Sequence, residues 1–255
     1  MQFLQNSLMV KVLKSKLFVW CTLPVVVSGI IILAYFSGIK DFPVFPNAPV
    51  FDYRTYSDSA AGGDSRVLRK VVTDSIIELE FKIGNKISSP YVGLNIGPKQ
   101  RPAINLSRYN QLTLKIDGKE IEGISIALIT ENTLKSSDKK NQEILFYHNF
   151  KILPGINSCT ISLDKFKIPD WWKEYNQIED VSAIKPDLKN LKAINVSSAF
   201  TPNFDKTLSF EIYSLSFSRN NKPIFILVVT LAILFILVVF VALYMVEKIK
   251  LNRKV

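Results

Sequence analysis

The sequence predicts a mainly β chain: an antiparallel jelly-roll sandwich flanked by two transmembrane α-helices. Three observations predict it. Ile224 to Val246 is 23 residues without a charge, 18 of them Val, Ile, Leu or Phe. Leu17 to Phe36 is a second apolar run of 20 residues. Between them the apolar period is two rather than 3.6, and turn residues interrupt it at short intervals.

The run Ile224–Val246 rises about 34 Å as a helix, enough to cross a hydrocarbon core of about 30 Å with some tilt. Only Thr230 is polar mid-run, so no polar face is available for a soluble surface helix. The first run is broken by Thr22, Pro24, Ser28 and Gly29. A cleaved signal peptide is the competing reading of this run. Its hydrophobic region would be unusually long, however, and Tyr35-Phe36 follows Ala34 where a small-x-small cleavage site would stand. The run is read as an uncleaved helix over 17–36, with Pro24 a tolerated kink.

Charge sets the expected orientation. Residues 1–16 carry Lys11, Lys14 and Lys16, and the tail 247–255 carries Lys248, Lys250, Arg253 and Lys254 against Glu247. Positive short flanks belong in the cytoplasm, which makes the chain a two-pass protein of the inner or plasma membrane. Both termini are then inside, 223–246 is the second span, and 37–222 is extracytoplasmic. The formal net charge of +10 is mostly tail. The tails hold seven of the 32 basic residues and one of the 22 acidic ones, leaving a net of +4 outside. That balance does not suit nucleic acid. The tail cations suit the lipid bilayer and its anionic head groups.

Residues 37–50 contain three prolines and no periodicity, and read as an extended tether. The outer domain follows over 51–218. Ser75 to Ile83 puts Ile77, Leu79, Phe81 and Ile83 on one face and Glu78, Glu80 and Lys82 on the other, a half-buried strand. Further strands are expected at 67–72, 91–96, 112–116, 124–130, 144–151, 158–162, 193–198 and 208–217. The turn residues Gly84-Asn85, Asp117-Gly118, Pro154-Gly155 and Thr201-Pro202-Asn203 punctuate them. The charged run Lys135 to Gln142 reads as a solvated hairpin connection. Five residues, Ser218 to Lys222, join the last strand to the second helix, so that junction is expected to be stiffer than the proline-rich tether.

The chemistry-bearing residues are sparse. Cys159 is the one cysteine of the outer segment and His148 the one histidine of the chain. No phosphate-cradling glycine loop, clustered His/Cys set or Ser–His–Asp arrangement is present. Nothing places a carboxylate pair such as Asp164 with Asp170, or Glu174 with Glu179, across a sugar-sized cleft. The chain is therefore read as a non-enzyme. Asn105-Leu-Ser and Asn195-Val-Ser match the glycosylation pattern but carry little weight, because two matches are unremarkable in a chain of this length. Trp171, Trp172 and Tyr175 form the densest aromatic cluster outside the helices and could stack on sugar rings. The alternative is packing, one Trp plugging the sandwich end and the other lying beneath a loop. Adjacent residues of an extended segment point opposite ways and cannot both line one pocket.

The segment Phe51 to Ser65, an aromatic strand leading into Ser57-Asp58 and then Gly62-Gly63-Asp64-Ser65, resembles the opening of carbohydrate-binding modules with the galactose-binding-like jelly-roll fold. Pro90 to Leu94, Leu106 to Leu112 and a closing strand over Leu208 to Phe217 follow in the same order. Pro169 to Asn176 is similar to a segment in the outer sensory domains of some bacterial two-helix membrane regulators. The resemblance implies a glycan-binding sensory module of a bacterial envelope, engaged in signal transduction. It also implies a structural calcium, held by the Asp58 loop together with Glu211. The other reading of that loop is a tight turn in which Asp58 and Ser65 cap backbone groups. The relatives carry a cytoplasmic output domain, whereas nine residues follow Val246 here. Three readings are left: a sensor acting through a membrane protein partner, an envelope interaction or assembly protein, or a truncated regulator.

Overall fold

The computed structural model describes residues 12, 16–38, 40–46, 50–131, 143–176, 185–199, 203–204 and 206–252. The chain divides into two compact units, residues 41–219 and the pair of terminal segments 1–40 and 220–255.

Among the described residues, eleven strands build the first unit. One sheet has the order β3 (Arg66–Val72), β4 (Ile77–Lys82), β11 (Thr207–Ser218), β6 (Gln111–Lys119), β9 (Asn157–Ser162), with β1 (Phe42–Phe45) also paired to β11. The other has the order β2 (Phe51–Ser57), β5 (Val92–Pro98), β10 (Leu191–Ser198), β7 (Gly123–Glu131), β8 (Glu143–Lys151). Every pairing is antiparallel. The period-two residues supply the core. Ile77, Leu79 and Phe81 of β4 meet Leu94 and Ile96 of β5 in one buried cluster with Phe146, Phe210 and Phe217. Each of the nine expected strands is present. The Asp117-Gly118 pair lies inside β6, and the chain reverses at Glu120, whose φ is 61°. The expected loop at 135–142 lies outside the described residues.

β11 is the longest strand and the middle of its sheet. It contacts β6 along nearly its whole length, with a bulge between Ile212 and Ser214. The extra residue keeps Leu208, Phe210 and Ile212 inward and returns Leu215 and Phe217 to the same side. On its other edge β11 pairs first with β4 and then with β1, where Phe42 lies opposite Phe217. The extended tether expected over 37–50 thus contains a strand that the sequence reading did not place. The segment is extended, but Val44 and Phe45 are buried and Phe42–Phe45 is held in the sheet. Prolines at every third position, 43, 46 and 49, hid a short strand that pairs at only three positions.

The second unit holds α1 (Lys16–Ser37) and α3 (Lys222–Asn252), each long and apolar enough to cross a membrane. The helices run antiparallel: Phe18 meets Phe240 edge-on at 6.5 Å, and Gly29 lies against Val228. A Cβ at Gly29 would stand 3.3 Å from Val228 Cγ1, so the small residue permits the close approach. The helix α3 continues past Val246 into the basic segment, ending at Asn252.

Candidate functional site

The loop after β2 is a 3-10 turn over Asp58–Ala61, capped by Ser57 and closed by Gly62 at φ 83°. Asp58 is fully buried. Its Oδ1 accepts from the Ser65 N–H at 3.0 Å, and its Oδ2 accepts from the Ser65 hydroxyl at 2.6 Å and the Tyr91 N–H at 3.2 Å. Ser65 Oγ in turn accepts from the Gly84 N–H. The carboxylate thus staples the starts of β3 and β5 to the end of β2.

Glu211 lies elsewhere, on the outer face of the six-stranded sheet. It pairs with Lys119 at 3.2 Å and accepts a 2.6 Å bond from the Tyr213 hydroxyl. The implied calcium does not fit this arrangement. Both oxygens of Asp58 are committed to protein donors, Glu211 stands on the other sheet, and among the described residues no three His, Cys, Asp or Glu side chains are placed to share an ion. The assignment of Asp58 and Glu211 as a ligand pair is corrected accordingly.

The Tyr213 bond holds the Glu211 carboxyl below its usual range, while Glu211 pushes Tyr213 up to about 12. A carboxyl depressed in the folded state contributes stability above its unfolded pKa and loses it as pH falls through the folded value. Titrating from pH 7 to 3, Glu211→Gln is expected to remove at most about 1 kcal/mol of the acid-side loss, since the group is partly solvated. Denaturant melts at each pH of the parent and variant measure this.

The aromatic cluster splits. Asp170–Asn176 forms the short helix α2, so Trp171 and Trp172 are a helical step apart rather than on opposite faces of a strand. Trp172 is 4% exposed and joins the core, whereas Trp171 is 61% exposed. Trp172 is therefore a plug and not a contact surface, which corrects its assignment to a shared ligand site. The Tyr175 side chain lies outside the described residues. Cys159 and His148 stand on different sheets, and burial raises the Cys159 thiol.

A different group of residues is brought together on the outer face of the five-stranded sheet. Pairing places Arg54, Asn95, Asn195, Ala127 and Tyr147 side by side, one from each strand. The next rung holds Tyr56, Gly93, Ser197, Ser125 and Asn149. Adjacent strands lie about 4.8 Å apart, so each rung runs about 19 Å across the sheet. Its centre is floored by small side chains. At one side Tyr56 lies over Gly93, where a Cβ would stand 2.6 Å from the ring, and its hydroxyl hydrogen-bonds Ser197. Burial pushes this phenol up to about 12, the Ser197 bond opposing the shift, so it is neutral at physiological pH. The Tyr91 ring flanks it at 5.9 Å. In the middle Asn95 Nδ2 donates to Asn195 Oδ1 at 2.7 Å. Each amide also carries a second group, so the pair retains an acceptor and a donor for another molecule. The one carboxylate on β2, Asp52, is held by Arg54 at 2.6 Å, which keeps it below its ordinary pKa.

Sequence reading missed this face, although a signal was present. The outward positions of β5 (Gly93, Asn95, Gly97), β10 (Ala193, Asn195, Ser197) and β7 (Gly123, Ser125, Ala127) are small or amide-bearing at every second residue.

No family model matches the sequence, and no curated protein does. Among solved structures, this chain is similar to the family 11 carbohydrate-binding module of cellulosomal cellulase Lic26A-Cel5E of Clostridium thermocellum. That match has a TM-score of 0.48 at 12% identity and covers 72% of this chain and 95% of that one. A family 11 module from the same organism in complex with a β-1,3-1,4-mixed-linked tetrasaccharide gives a TM-score of 0.45 at 11% identity, over 71% and 95% of the two chains. A family 30 carbohydrate-binding module gives 0.47 at 14%, over 73% and 91%. The two-sheet assignment rests on the strand pairing itself.

Proposed function

We propose that this chain is a membrane-anchored carbohydrate-binding protein whose ligand lies on the outer face of the five-stranded sheet. The observation that carries the reading is the Asn95–Asn195 amide pair on a floor of small residues, with Tyr56 at one side and Tyr147 at the other. Planar amides bond sugar hydroxyls in both directions, tyrosine rings offer apolar faces to C–H groups, and the small residues leave room for a chain of rings. The uncharged centre suits a neutral glycan. The reading is of binding without catalysis. Terminal helices in the bilayer, the sandwich on the extracytoplasmic side and a sensory role exercised through a membrane partner complete it.

The test uses the full chain in lipid nanodiscs, titrated calorimetrically with neutral oligosaccharides that include mixed-linked β-glucans. Asn95→Ala and Asn195→Ala are each expected to weaken binding about tenfold, the value of one or two lost hydrogen bonds in a largely desolvated site. Trp171→Ala is the comparison. If the amide variants bind as the parent does while Trp171→Ala does not, the ligand lies at α2 and the proposal fails. Absence of saccharide binding defeats it as well.

A further inference from the structure

Besides the short β1, the two sheets end, among the described residues, on four edge strands, and three of these are guarded. The edge strand β3 carries Arg66, Arg69 and Lys70 and has a register shift between Val67 and Arg69. On β2, the Tyr53 carbonyl accepts a 2.7 Å bond from Lys70 Nζ, and Asp52 and Arg54 add charge. On β8, the N–H and C=O of Tyr147 both bond Lys167. Charge, irregularity and cover are the ordinary means by which a sheet edge is kept from pairing with another chain.

The fourth edge, β9, has none of these. Asn157-Ser-Cys-Thr-Ile-Ser162 contains no charge and no proline, and its pairing with β6 runs without a shift over six residues. The Leu163 N–H bonds Asn110 C=O on the β6 side. Because backbone groups alternate along a strand, those of Ser158, Thr160 and Ser162 point the other way, outward. Among the described residues nothing bonds to them, and the Ser158 and Thr160 side chains are exposed.

We propose that β9 is a self-pairing edge, which joins the six-stranded sheet to that of a second copy of this chain. Its outward groups are self-complementary in antiparallel register about Thr160. Thr160 lies opposite Thr160 of the partner subunit, and Ser158 opposite Ser162 of the partner subunit, giving about six backbone hydrogen bonds. The side chains meet as hydroxyl against hydroxyl on one face and as Cys159 against Ile161 on the other, without a like-charge contact. The same operation on β3 would set Arg66, Arg69 and Lys70 against their own copies, which identical charges oppose. A two-fold contact of this kind closes on itself as a dimer. Antiparallel pairing turns the Phe217 ends of the two copies in opposite directions along the joined sheet. The test therefore includes copies sharing one bilayer and copies on separate vesicles. The inference is independent of the carbohydrate reading.

The experiment uses the full chain with Cys21→Ser and Cys159→Ala, reconstituted in liposomes of neutral lipid. Thr160→Cys is expected to form a covalent dimer under mild oxidation about tenfold faster than Leu153→Cys, a control that is also exposed, because pairing holds the two Cα atoms within disulfide range. A mixture of Ser158→Cys and Ser162→Cys chains is expected to give heterodimer in about fivefold excess over either alone, which reads the register itself. In the otherwise native chain, Thr160→Lys is expected to lower the dimer fraction about tenfold and Thr160→Ser to leave it intact. Crosslinking at 160 no faster than at 153, both with the copies in one bilayer and with the copies on separate, mixed vesicles, overturns the proposal. So does a heterodimer yield no greater than the homodimer yields.

Discussion

Asp58→Ala should be the most damaging single substitution in the sandwich, lowering unfolding free energy by about 3–5 kcal/mol, because two buried donors and one half-buried donor lose their acceptor at once. The donors are the Ser65 N–H, the Ser65 hydroxyl and the Tyr91 N–H. Asp58→Asn tests the cause. An amide can still accept through one oxygen but offers N–H groups where the second acceptor stood, so it should restore part of the loss. Chelator should change neither the parent nor the variants, because the carboxylate is bonded to protein donors. A melt that shifts upward on adding calcium and downward on removing it would refute this account of the loop. Denaturant unfolding of the full chain, followed by tryptophan fluorescence, supplies the measurement, since Trp172 lies in the core.

Gly93→Val should abolish the proposed ligand site more completely than removal of any one amide, weakening glycan binding about a hundredfold or more. A Cβ at Gly93 meets the Tyr56 ring at 2.6 Å and the Ser197 Cβ at 2.7 Å, so Val must displace one or both. Tyr56 would leave its place over the sheet and its Ser197 bond. The stability cost is that of overpacking, about 1–3 kcal/mol, which separates lost binding from lost fold when both are measured. Tyr56→Phe, which keeps the ring and removes only the hydroxyl, should retain most of the binding. Binding by Gly93→Val within about threefold of the parent would remove this face from consideration.

The architecture was legible wherever burial enforces a period. Ile77, Leu79 and Phe81 alternate with Glu78, Glu80 and Lys82 because one face meets the core and the other water, and every strand of that type was found. β2 was legible as the aromatic strand that opens at Phe51, whereas β1 was not separated out. β1 has four residues, Phe-Pro-Val-Phe, and a proline inside so short a run is a pattern that loops share. The face of Tyr56, Asn95 and Asn195 escaped attention because outward residues carry no apolar signal. Their meeting also depends on β5 lying between β2 and β10, an order that no local pattern records. Trp171 and Trp172 attracted attention for their size, yet size marks packing as readily as recognition, and Trp172 is spent on the core. Asp58 was legible as a turn residue, but its three donors come from positions as far away as Tyr91.

The pairing of Phe42 with Phe217 also governs how the domain bears a pull. The first helix enters the sandwich through β1 and the second leaves it through β11, at neighbouring positions on two paired strands. Tension that draws the two connections apart therefore loads the short β1–β11 ladder from its end, parting its few bonds in succession. Of the other sheet, β2 is tied to this seam, because the Tyr53 hydroxyl donates to the Val44 carbonyl at 3.1 Å and Phe42 and Phe45 lie against Phe51 and Tyr53. The seam is thus a clasp that opens first. Lateral separation of the terminal helices would free β1 and uncover Val44 and Phe45, while the ladder between β5 and β10 that carries Asn95 and Asn195 stays intact.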